Sequence, residues 1–81
     1  MDDLEIAKRI NKLAEEEHQL ERSHEGEDGL SDDELRRLRA IEVQLDQCWD
    51  LLRQRRARRA SGKNPDDAAV REAGVVEGYK Q

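Results

Sequence analysis

Residues 31–60 read SDDELRRLRAIEVQLDQCWDLLRQRRARRA, and this stretch decides the fold. Leu38, Ile41, Leu45, Cys48 and Leu52 recur at intervals of 3, 4, 3 and 4 residues, which places them on one face of a helix. Leu35 and Trp49 widen that face. Ser31 with Glu34 has the spacing of a capping box, and Leu30 with Leu35 supplies the matching hydrophobic staple. At the other end Gly62 provides a stop, reinforced by Asn64 and Pro65. A helix over about 31–60 follows.

A second periodic run lies upstream, over about 3–24. Ile6, Ile10, Leu13 and Leu20 share one helical face, and Asp2 with Glu5 repeats the capping-box spacing. The segment between the runs, His24 to Gly29, is polar and holds two glycines, so the helices are expected to fold back on each other. The predicted class is all-α: an antiparallel two-helix hairpin over 1–62, followed by a partly ordered tail over 63–81. With the turn near residue 27, Ile10 should meet Leu45, Leu13 should meet Ile41, and Ile6 should meet Trp49. The second helix then overshoots the first by about two turns. In the tail, Asn64, Pro65 and Asp67 suit the start of a short helix over 65–73, ending before Gly74.

A lone hairpin leaves each apolar stripe half covered. A homodimer closing a four-helix bundle is therefore expected, its core and seam made by Ile6, Ile10, Leu13, Leu20, Leu38, Ile41, Leu45, Cys48, Trp49 and Leu52. Val43 and Leu51 lie outside the main stripe and could widen the contact.

Charge divides the chain. Its net charge is −5, yet residues 1–34 hold 13 acids against 4 bases and residues 35–63 hold 3 acids against 9 bases. Opposite signs on consecutive helices favour their lying side by side. The acidic balance argues against a dedicated nucleic-acid binder but leaves room for a local basic patch. No run approaches the roughly 18 apolar residues of a membrane span, the N-terminus does not read as a signal peptide, and one cysteine cannot form an internal disulfide. A cytoplasmic protein with a reduced thiol is expected.

The candidate contact residues are Arg53, Arg55, Arg56, Arg58 and Arg59, with Val75, Val76 and Tyr79 of the tail. The arginines could hold an acidic protein surface or nucleic-acid phosphates, and equally could be a solvated helix end that suits the dipole. No aromatic residue interleaves with them, which disfavours stacking on single strands. Glu15 with His18 and Glu21 with His24 have the Glu-x-x-His spacing of di-iron bundles. Only Glu42 offers a carboxylate from the other helix, and an acidic stretch meets this spacing by chance. Cys48 reads as a small core residue. There is no nucleophile–base set, phosphate loop or zinc spacing, so no catalytic residue, metal or cofactor is assigned.

The words LDQCWDLLRQRRARR, LSDDELRRLRAIEV, EEEHQL and VVEGY resemble a family of short actinobacterial proteins defined only as a domain of unknown function. The resemblance covers almost the whole chain and is most specific over DQCWDLLRQRRA. It implies a compact helical protein from a high-GC Gram-positive bacterium and brings no activity or site residue. The expected function is a non-enzymatic protein–protein interaction module using the Arg-rich helix end and the VVEGY tail. Nucleic-acid binding through the same arginines is the alternative, and a metal-binding helical bundle ranks third.

Overall fold

A computed structural model describes residues 1–23 and 29–78. The described residues are helical throughout their regular structure: α1 (Asp3–Ser23), α2 (Asp32–Ala60), a 3₁₀ turn (Pro65–Asp67) and α3 (Ala73–Gly78). The expected loop from His24 falls mostly outside the described residues.

Both long helices begin as their sequences prescribe. The Glu5 amide donates to Asp2 Oδ1 at 2.8 Å, and the Asp2 amide donates to Glu5 Oε1 at 3.2 Å. Ser31 and Glu34 make the same reciprocal pair at 3.1 and 3.2 Å. Each box satisfies backbone donors that the first helical turn leaves orphaned. Three acids in the first turn of α2 and Arg58 and Arg59 in its last also suit the helix dipole.

The end of α2 is a Schellman motif. The Lys63 amide donates to the Arg58 carbonyl at 2.7 Å and the Gly62 amide to the Arg59 carbonyl at 3.2 Å. That closure requires a left-handed residue, and Gly62 takes it at φ 75°. The chain then turns back along α2.

Ile6, Ile10, Leu13, Ile41, Cys48 and Leu51 form the core, with Leu20, Leu45, Leu52 and Ala68 packed against it. Arg37 donates to Glu16 across the two helices, one bond at 2.8 Å. Arg55 and Arg59 both reach Asp3 at the start of α1.

Three expectations need correction. Trp49 is 54% exposed and Ile6 is fully buried, so the two do not pack face to face. Leu51, read as lying outside the stripe, is core instead. The tail does not form a helix over 65–73: only Pro65–Asp67 turns, as a 3₁₀ element capped by Asn64 Oδ1 accepting from the Asp66 amide, and the helix comes later, at Ala73–Gly78. The common cause is the tail itself. It packs along α2 through Gln47, Asp50 and Gln54, which gives α2 a second covered face, and Trp49 lies on neither covered face.

Candidate interaction site

The arginine-rich end of α2 divides by helical phase. Arg55 faces inward and is 5% exposed. Its Nε donates to Asp3 Oδ1 at 2.6 Å, and its Nη1 donates to the Pro65 carbonyl at 3.1 Å and to Asp66 Oδ1 at 3.0 Å. One guanidinium thus ties α1, α2 and the 3₁₀ turn together, using the fork geometry that a lysine lacks. Arg59, one turn on, donates to the other Asp3 oxygen at 2.5 Å. Hydrogen bonds from Arg55 and then Arg59 hold the Asp3 carboxyl below its ordinary range. The sequence reading of Arg55 as a partner-binding residue is therefore replaced by a structural one. The end of α2 is not the free two-turn overhang that length alone suggests, because Asp3 and the tail occupy that side of it.

A second internal pair lies one turn earlier. Asp50 is 1% exposed, and Arg71 grips it with Nη2 to Oδ1 at 2.8 Å and Nε to Oδ2 at 2.9 Å. Gln54 Nε2 donates to the same Oδ2 at 2.9 Å and to the Ala69 carbonyl at 2.8 Å, while Gln47 Nε2 donates to the Arg71 carbonyl at 3.2 Å. Two glutamines and an arginine thus hold the extended part of the tail on α2. Among the described residues no buried side-chain nitrogen or oxygen lacks a partner. Sequence reasoning missed this set; its one visible signal was an acid, Asp50, inside the apolar word CWDLL.

Folding the tail back creates a groove. It has a volume of about 480 Å³, and its walls carry Arg53, Arg58, Lys63 and Arg71 above Asp50. Arg71 and Asp50 neutralise each other, so the excess positive charge of the groove comes from Arg53, Arg58 and Lys63. The groove contains Arg53 and Arg58 from the sequence-derived set; Arg56 is exposed and lies outside it. In the tail, Val75 is 50% exposed but Val76 is 2% exposed, which removes Val76 from the contact surface and places it in the chain's own packing. Tyr79 and His24 lie outside the described residues.

The opposite side of α2 is acidic and apolar together. Glu17, Arg39, Glu42, Leu45, Asp46 and Trp49 line a second, shallow depression. Burial, then the Glu21 and Glu42 charges, push the Glu17 carboxyl up. His18 is exposed, and among the described residues no group of three or more His, Cys, Asp or Glu side chains is placed to hold a metal ion. Burial pushes the Cys48 thiol up, against the opposing Arg9 charge.

The sequence from residue 2 to residue 81 matches the family described as protein of unknown function, DUF2630. The chain belongs to that family. It is 50% identical over 78 residues to the uncharacterised proteins Mb0922c of Mycobacterium bovis and Rv0898c of Mycobacterium tuberculosis, covering 95% of this chain and 88% of each relative. The actinobacterial resemblance read from the sequence is thereby established. No solved structure matches the chain. No helix among the described residues is long and apolar enough to cross a membrane.

Proposed function

We propose that this DUF2630 protein is a non-enzymatic interaction module, an antiparallel helical hairpin braced by its tail, which takes an acidic protein segment in the groove between α2 and the tail. The observation that carries the reading is the groove's composition: Arg53, Arg58 and Lys63 line it beside an Arg71 that Asp50 already neutralises. Arginine pairs with carboxylates through two parallel hydrogen bonds, and a groove shared by two elements can follow an extended chain. Val75, exposed near the tail's end, adds an apolar contact.

Protein is favoured over nucleic acid on two grounds. The cations are confined to one end of a molecule 53 Å long with a net charge of −5, and a long polyanion would meet the acidic remainder. The described groove also offers no aromatic ring for a base to stack on.

The test is fluorescence anisotropy with a labelled glutamate-rich peptide and, in parallel, single-stranded RNA and duplex DNA of equal charge. The peptide should bind, and replacing both Arg58 and Lys63 with Glu should abolish binding. Tighter binding of either nucleic acid, with a steep salt dependence lost in the same variant, would assign the groove to phosphates instead.

A further inference from the structure

Helix α2 has three faces, two covered and the third covered only in part. One carries Ile41, Cys48 and Arg55 against α1. A second carries Gln47, Asp50 and Gln54 against the tail. The third carries Leu35, Leu38, Glu42, Leu45, Trp49 and Leu52, spaced 3, 4, 3, 4 and 3 residues apart. That spacing is a coiled-coil seam. Its outer part is open, with Trp49 54% and Leu35 37% exposed, while Leu45 and Leu52 are partly buried against the core.

We infer that this face is the seam of a homodimer in which α2 pairs antiparallel with α2 of a second copy. The pairing rule is simple. Facing seam positions have residue numbers that add to about 87, which puts Leu38 against Trp49, Leu45 against Glu42 and Leu52 against Leu35 of the other copy, and the reverse.

The edge beside the seam identifies the occupant. Asp32, Arg39, Asp46 and Arg53 follow one another at heptad spacing along the edge away from α1, alternating in sign. Reversed against itself in this register, the row brings Arg39 to Asp46 and Asp32 to Arg53, twice each by symmetry. In a parallel pair this edge would instead face the other edge of the partner helix, which carries Ile41, Cys48 and Arg55 and is covered by α1. An alternating row is its own complement only when antiparallel, so the surface is built for a second copy of the same helix. Glu42 is the one polar residue in the stripe, and a lone polar seam residue specifies register at a cost in stability.

The overall shape agrees. With a thickness of 16 Å, the molecule is a single layer of helices, and pairing on α2 doubles it into a four-helix bundle. The seam rests on the hairpin reading above and shares only Arg53 with the cationic groove.

Sedimentation velocity across a dilution series, with Trp49 emission followed in the same samples, tests the inference. The wild type should sediment as a dimer, and Trp49, the only tryptophan, should shift to the red on dilution as it meets water. Arg39→Asp should weaken the dimer about ten-fold, and the exchange Arg39→Asp with Asp46→Arg should restore it, with helicity by circular dichroism unchanged in both. Glu42→Leu should tighten it. A wild type that remains monomeric at high micromolar concentration, or a dimer indifferent to the Arg39 and Asp46 exchange, would overturn the seam. Peptide binding by such a monomer would leave the groove assignment standing, and the Arg58 and Lys63 double replacement should leave the dimer intact.

Discussion

Arg71 closes both oxygens of Asp50 in a two-pronged ion pair, with bonds of 2.8 and 2.9 Å, and so ties the extended tail to the middle of α2. The carboxylate is withdrawn from water and the guanidinium is only partly so, with 1% and 36% side-chain exposure. The pair therefore locates the tail more than it stabilises the fold outright, because desolvation offsets much of the attraction.

Breaking it from the arginine side should be costly. Arg71→Ala leaves a buried carboxylate with Gln54 as its remaining donor and should cost about 3 kcal/mol in urea unfolding. Arg71→Lys should recover only part of that, since one ammonium cannot repeat the fork. In hydrogen exchange, both variants should release amides of the 3₁₀ turn before those of α1.

Acid should act on this protein in two directions. The depressed carboxyls of Asp3 and Glu16 stabilise the fold above their unfolded values, near 3.8 and 4.5, and that contribution is lost as pH falls through their lower folded values. Glu17 runs the other way. Its raised folded value means that its contribution is present below the unfolded value near 4.5 and is lost as pH rises through the folded one. Glu17→Gln should therefore raise the thermal midpoint at pH 7, and the gain should shrink toward pH 4. Midpoints across that range for both proteins check the sign.

Cys48 should be slow to react. It is 8% exposed and its thiol is pushed up by burial, so the thiolate is scarce and shielded. Alkylation by iodoacetamide should track unfolding, rising sharply through the urea transition. Fast labelling of the native protein would contradict the core assignment.

Much of this architecture is legible in the residues. The two capping boxes, the apolar periodicity and Gly62 bound both helices closely, because each is a local device whose partner lies within four residues. Asp3 near the basic end of α2 also follows from charge and direction. The errors share one origin. Periodicity tells which faces of α2 are apolar, but not which neighbour covers each, and the tail's grip depends on Gln47, Asp50, Gln54 and Arg71, polar residues of separate elements with no spacing rule between them. The same gap hid the role of Arg55, which differs from Arg56 only by its phase around the helix.

We propose that the arginine cluster is divided: Arg55 and Arg59 hold the fold through Asp3, while Arg53 and Arg58 line the groove offered to a ligand. Thermal unfolding with and without the glutamate-rich peptide tests both halves at once, since a ligand that binds only the folded state raises the midpoint. Arg55→Ala should lower the midpoint by several degrees and keep the peptide-induced rise. Arg58→Glu should lower the free stability by only about 1 kcal/mol, the effect of a reversed charge at the helix end, and lose the rise. A peptide response that survives Arg58→Glu but disappears with Arg55→Ala would contradict the division.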